Sequence, residues 1–209
     1  MHQKMETLTA LYEEKVVAVI RGATSEKAEN VVLGAHEGGI RVMEITYTVP
    51  GATDLIKKLS AQSADWIIGA GTVLDDITAR LAILAGARFI VSPSFNKDTA
   101  VLCNRYQIPY IPGCYTTQEI VQALESGSDI IKIFPGNISG PSGLQAVKGP
   151  LPQAELMPSG GVDAENAGEW LRKGAAAVSI GSLLYKDSHN EIAEASKSIM
   201  NAVRNATNG

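Results

Sequence analysis

Lys132 stands inside a short apolar run, Asp129-Ile130-Ile131-Lys132-Ile133-Phe134-Pro135, that reads as a buried strand. An ammonium group is rarely left in a core, because losing its water costs several kcal/mol unless the charge is paired or given up. Such a lysine is therefore either ion-paired or partly neutral. A partly neutral lysine is a nucleophile able to form a Schiff base with a carbonyl. The alternative is a side chain that reaches the strand end and pairs with a carboxylate. Glu44, in Val42-Met43-Glu44-Ile45-Thr46, is the acid whose setting matches. Strand alternation puts Met43 and Ile45 on one face, Glu44 and Thr46 on the other. It likewise separates Ile131 and Ile133 from Lys132 and Phe134. If the aliphatic faces pack outward, Glu44 and Lys132 share a confined interior, where surroundings push pKa values apart. A buried Glu44–Lys132 ion pair with no further role remains the competing reading.

The elements that would carry these residues repeat along the chain. Eight strand candidates are Lys15–Arg21, Val42–Thr48, Ile67–Thr72, Phe89–Ser94, Tyr110–Tyr115, Ile130–Pro135, Leu156–Gly161 and Ala177–Ser182. Their starts fall 20 to 27 residues apart, about one βα unit each. Helical spacing covers the stretches beginning at Ser25, with Ser25 as cap, and Asp76–Leu84, Asp98–Tyr106, Thr117–Glu125 and Ala164–Lys173. Gly86, Gly127 and Gly174 lie just before the next strand, where a left-handed cap favours glycine. A helix is expected over residues 1–14, and a final helix with a frayed tail after about residue 187. Strands alternating with helices predict an α/β fold with a parallel sheet, closed as a single-domain (β/α)8 TIM barrel over residues 1–209. An open doubly wound sheet is the alternative. Its G-x-G-x-x-G phosphate fingerprint is missing after the first strand, which ends Arg21-Gly22-Ala23-Thr24.

Barrel active sites lie at the C-terminal strand ends. The polar residues there include Arg21, Thr46, Thr48 and Thr72. An arginine at a strand end can hold a carboxylate through two parallel hydrogen bonds, or make a surface salt bridge. Thr72 can complete such a pocket or cap the helix after Asp75-Asp76. Ser159-Gly160-Gly161 and Gly181-Ser182 place small residues where many barrels bind phosphate, after the seventh and eighth strands. Tight turns alone would also explain those glycines.

Composition narrows the partners. The 209 residues are 45% hydrophobic and 19% charged, with net charge −4 and no Lys/Arg-rich run, which argues against nucleic acid. No apolar stretch is long enough for a membrane span. Met1 to Tyr12 lacks a basic-then-apolar leader pattern, and two cysteines, Cys103 and Cys114, make no disulfide framework, so a reducing cytoplasm is expected. Three scattered histidines do not suggest a metal site.

Seven segments resemble the class I KDPG/KHG aldolases, which cleave 2-keto-3-deoxy-6-phosphogluconate (KDPG) or 4-hydroxy-2-oxoglutarate (KHG). They are Val17–Arg21, Gly39–Thr46, Ile68-Gly69-Ala70-Gly71-Thr72-Val73, Ile111-Pro112-Gly113, Ile131–Pro135, Pro158–Val162 and Ile180-Gly181-Ser182. The resemblance implies a Schiff-base role for Lys132, an acid–base role for Glu44 and a carboxylate contact for Thr72. It implies a pyruvate pocket walled by Pro93 and Phe134, and phosphate contacts at Gly160, Gly161, Gly181 and Ser182. It further implies a homotrimer, a 2-keto acid substrate, pyruvate as product, and no metal or other cofactor. Many members carry an arginine four residues after the glutamate; here that position is Thr48, which is expected with Arg21 and Thr72 at the substrate carboxylate. Arg21 is then expected to supply the missing carboxylate contact. The rivals are a phosphate-binding barrel with other chemistry, such as isomerisation, the 6-phosphogalactonate epimer as substrate, and a non-catalytic binding barrel.

Overall fold

The computed structural model describes residues 3–62 and 65–207. Among the described residues the strands are nine and short: β1 (Val16–Ile20), β2 (Val42–Thr46), β3 (Ile67–Gly71), β4 (Ile90–Val91), β5 (Tyr110–Ile111), β6 (Gly113–Cys114), β7 (Ile131–Ile133), β8 (Leu156–Pro158) and β9 (Val178–Ile180). Helices alternate with them: α1 (Gln3–Glu14), α2 (Ser25–Glu37), α3 (Ala52–Ser60), α4 (Asp76–Leu84), α5 (Lys97–Tyr106), α6 (Thr117–Glu125), α7 (Gly136–Lys148), α8 (Ala167–Arg172) and α9 (His189–Thr207). No helix among the described residues is long and apolar enough to cross a membrane.

Every strand pair is parallel. Six strands pair in the order β5-β4-β3-β2-β1-β9 and three in the order β6-β7-β8. This sequential order lacks the reversal that marks a doubly wound sheet. The segment expected as one strand, Tyr110–Tyr115, is two: Pro112 separates β5 from β6. Proline has no N–H for the ladder, while its carbonyl still accepts from the Lys132 N–H at 2.9 Å.

The alternation anticipated for the strands is present. Val16, Ala18, Ile20, Met43, Ile45, Ile131, Ile133, Val178 and Ile180 pack outward in a core with the helices. Val17, Val42, Phe89, Val91, Ile130, Met157 and Ala177 form a second cluster, which Leu8 and Leu11 of α1 join. The first helix thus closes the N-terminal ends of the strands. Tyr12 also donates its hydroxyl to the Asp129 carbonyl, and Lys4 pairs with the Asp129 carboxylate at 2.7 Å.

Local chemistry sets the helix ends. Thr24, not Ser25, caps α2 and accepts from the Lys27 N–H. Asp75 caps α4, accepting from the Thr78 N–H at 2.6 Å, so Thr72 is not a cap. Thr116 and Glu119 form a capping box on α6. Gly86, Gly127 and Gly174 adopt φ of 104°, 82° and 99°, the left-handed geometry expected for them. The helix expected from Ala164 begins at Ala167, because Asp163 and Asn166 hydrogen-bond the intervening backbone instead. The expected frayed tail falls partly at residues 208–209, outside the described residues.

Candidate active site

Lys132 and Glu44 meet where the two sheets face each other. Glu44 lies between Val19 of β1 and Gly69 of β3 in register; Lys132 lies between Gly113 of β6 and Met157 of β8. Lys132 Nζ is 3.9 Å from Glu44 Oε1, and both side chains are buried. The ammonium also sits 5.1 Å from the centre of the Phe134 ring. Burial pushes the Glu44 carboxyl above the usual carboxylate range, and the positive fields of Lys132 and Arg21 only partly offset this. Among the described residues neither Glu44 oxygen accepts a hydrogen bond. A buried ion pair kept only for structure needs hydrogen bonds on its remaining lone pairs to offset lost hydration. This one lacks them, so the carboxylate is held at a cost to stability and stays free to act on a third group.

Glycine makes the space. A Cβ on Gly71 would stand 2.8 Å from Glu44 Cδ, and one on Gly69 would stand 2.5 Å from the Phe89 ring. The run Gly69-Ala70-Gly71-Thr72 thereby admits the acid at one level and an aromatic ring beneath it. Thr72 follows in a left-handed conformation with φ of 56°, which is uncommon for a branched residue.

A cavity of about 240 Å³ opens above Lys132. Arg21, Thr72, Pro93 and Phe134 line one part of it, and Gly160, Gly161, Gly181 and Ser182 another. The structure therefore gathers all but two of the anticipated residues around one opening. Glu44 lies beneath, wholly buried. Thr48 is the other exception: it lines a separate cavity of about 670 Å³ that contains neither Lys132 nor Glu44. Its hydroxyl instead accepts from Arg21 Nη1 at 3.2 Å and lies 2.8 Å from Thr46 Oγ1. Thr46 in turn donates to the Ile20 carbonyl at 3.0 Å. This chain of hydroxyls fixes Arg21 at the mouth.

At the opposite wall Gly160 and Gly161 both take positive φ, 94° and 77°. A side chain on Gly161 would strike Asn137 Cβ at 2.8 Å. The positive-φ backbone of Gly160 and Gly161 makes a concavity of the kind suited to an anion.

Two polar lining residues, Ser179 and Tyr185, were not anticipated from the sequence. Ser159 and Ser179 are buried, and Ser159 Oγ donates to Ser179 Oγ at 3.3 Å. Strand alternation places Ser179 on the face of Gly181, a signal that was present but unused. Tyr185 also lines the cavity; it follows the 3₁₀ turn Ser182–Leu184, beyond any strand periodicity.

Known proteins are similar to this chain in sequence and fold. The family described as KDPG and KHG aldolase matches residues 8–198. A 2-dehydro-3-deoxy-phosphogluconate aldolase of Treponema pallidum is 36% identical over 159 residues, covering 74% of this chain and 76% of its own. A 2-dehydro-3-deoxy-6-phosphogalactonate aldolase of Escherichia coli is 32% identical over 173 residues, covering 82% and 84%. The solved KDPG aldolase of Legionella pneumophila, with pyruvate captured at low pH as a covalent carbinolamine intermediate, superposes with a TM-score of 0.84 at 28% identity, covering 95% and 98%. The chain belongs to the KDPG/KHG aldolase family of carbon–carbon lyases.

Proposed function

We propose that this protein cleaves KDPG to pyruvate and glyceraldehyde 3-phosphate, and KHG to pyruvate and glyoxylate, through a Schiff base on Lys132. The buried approach of Lys132 to an otherwise unbonded Glu44 carries this reading. The deprotonated Lys132 amine attacks the C2 ketone; loss of water gives an iminium ion. Glu44 takes the proton of the C4 hydroxyl, the C3–C4 bond breaks, and its electron pair passes into the iminium to give an enamine. The aldehyde leaves. Glu44 returns its proton to C3, and water releases pyruvate from the resulting iminium. Arg21, held by Thr48, and Thr72 bind the carboxylate. Pro93 and Phe134 wall the pyruvate pocket, and Gly160, Gly161, Gly181 and Ser182 receive the phosphate.

The same reading takes residues 1–209 as one domain whose strands close into a (β/α)8 barrel. Its support is the Leu156–Ala175 and Ser159–Ser179 bridges between the β8 and β9 edges, together with the near-continuity of β5 and β6. It also places the protein in the cytoplasm as a homotrimer. Leu74, Ile77, Leu81 and Leu84 form an exposed apolar stripe on and before α4, of the kind that self-association covers.

Pyruvate release, coupled to lactate dehydrogenase, tests the substrate. Turnover of KDPG or KHG is expected. No release from either would overturn the reading. A second assignment, the 6-phosphogalactonate epimer, is favoured by the coverage of the relative bearing that name; a kcat/KM higher for that epimer would select it.

A further inference from the structure

Two cavities meet at the mouth of the site, and among the described residues only Arg21 and Tyr185 line both. The smaller, about 240 Å³, holds Lys132. The larger, about 670 Å³, lies toward the start of α2 and the chain after Tyr185, with Lys27, Asn30 and Lys186 among its walls. Arg21 is tied to Thr48. Tyr185 faces Arg21 on one side and Gly181 on the other: its hydroxyl oxygen would stand 3.1 Å from a Cβ on Gly181, beside the proposed phosphate position. An acceptor chain reaching from Lys132 to that phosphate position would run toward the phenol ring, which lines the cavity beside Gly181. A longer chain would have to pass it.

We propose that Tyr185 is a specificity-determining partition, and that the larger cavity is a latent subsite for longer polyhydroxylated, anionic aldehydes. The inference rests on the aldolase reading above. Its charged lining is Arg21, Lys27 and Lys186 against Glu26 and Asp187, so the cations outnumber the carboxylates by one and can meet an anionic end, and Asn30 can meet hydroxyls. The ring itself, rather than its hydroxyl, sets the limit on length.

The test runs the reaction toward condensation, with pyruvate and either glyceraldehyde 3-phosphate or erythrose 4-phosphate, which is longer by one hydroxymethylene. Tyr185→Ala should raise the kcat/KM ratio of erythrose 4-phosphate to glyceraldehyde 3-phosphate by ~10-fold or more, the scale on which one chain carbon is discriminated. Tyr185→Phe keeps the ring and should keep the wild-type ratio. Borohydride trapping of pyruvate on Lys132 should persist in both variants. An unchanged ratio in Tyr185→Ala with trapping intact would overturn the partition and leave the aldolase reading standing. Tyr185→Phe matching Tyr185→Ala would also overturn it, by assigning the effect to the hydroxyl. Wild-type protein that traps no pyruvate would instead overturn the aldolase reading, and this inference with it.

Discussion

The two ends of the same strands do opposite work. Toward the N-terminal ends, Val17, Val42, Phe89, Ile130 and Met157 pack with Leu8 and Leu11 of α1 in a fully apolar cluster. Two residues further along β2 and β7, the inward positions become Glu44 and Lys132, with Ser159 and Ser179 at the same opening. The strand geometry is shared; only the side chains differ. The lower end can be filled to high density because nothing there must be bound, and it contributes stability. The upper end keeps a buried acid with unbonded oxygens and a cavity, both of which cost stability. Stability and chemistry are therefore separated along the strand axis, and variants at the two ends should separate them in measurement.

The largest effect should come from Lys132→Ala, which removes the nucleophile. Turnover should vanish, and the urea midpoint at neutral pH should fall, because Glu44 then keeps its burial without the counter-charge of Lys132. Glu44→Gln should slow turnover by roughly 10²–10⁴-fold, the usual worth of a positioned acid–base group. It should also change the pH profile. The Glu44 carboxyl is raised by burial; below its pKa it is protonated and cannot accept the hydroxyl proton. Wild-type kcat/KM should thus fall on the acid side above the ordinary carboxylate range, and that limb should be absent in Glu44→Gln.

At the lower end, Phe89→Ala should cost about 3–5 kcal/mol of stability in urea titration, with Schiff-base formation retained in the folded fraction. If it abolished trapping in protein that remained folded, the two ends would not be separable. Arg21→Ala should raise KM for every pyruvate-containing substrate by ~10-fold, as expected for a charge-assisted contact, and an unchanged KM would remove Arg21 from carboxylate binding. The smallest effect concerns the cysteines. Burial pushes the thiols of Cys103 and Cys114 up to about 12, so native protein at pH 8 should resist iodoacetamide and react only when unfolded.

Much of this was legible in the chain because parallel strands buried on both faces write their alternation plainly. Val42–Thr46 and Ile130–Phe134 announced which side Glu44 and Lys132 would take, and Asp76–Leu84 and Thr117–Glu125 appear with the bounds expected. The failures have separate causes, local breaks in pattern and contacts that no periodicity records. Two helices, α3 and α7, were not singled out. In α7 Gly140 interrupts the helical dihedrals and Pro141 follows it, so the local pattern reads as a loop. Thr48 was placed in the carboxylate pocket, but its hydroxyl turns to Arg21, 27 residues away. Tyr185 reaches Gly181 across a 3₁₀ turn that has no hydrophobic period to reveal it.

The central claim is that Lys132 bonds covalently to the substrate ketone. Incubation with pyruvate and borohydride, followed by intact mass and peptide mapping, tests it most directly. The account predicts one reduced pyruvate adduct per chain, on Lys132, absent in Lys132→Ala and still formed in Glu44→Gln. Folded wild-type protein without an adduct, or with one on another lysine, would contradict it and leave Lys132 as the ion-pair partner of Glu44.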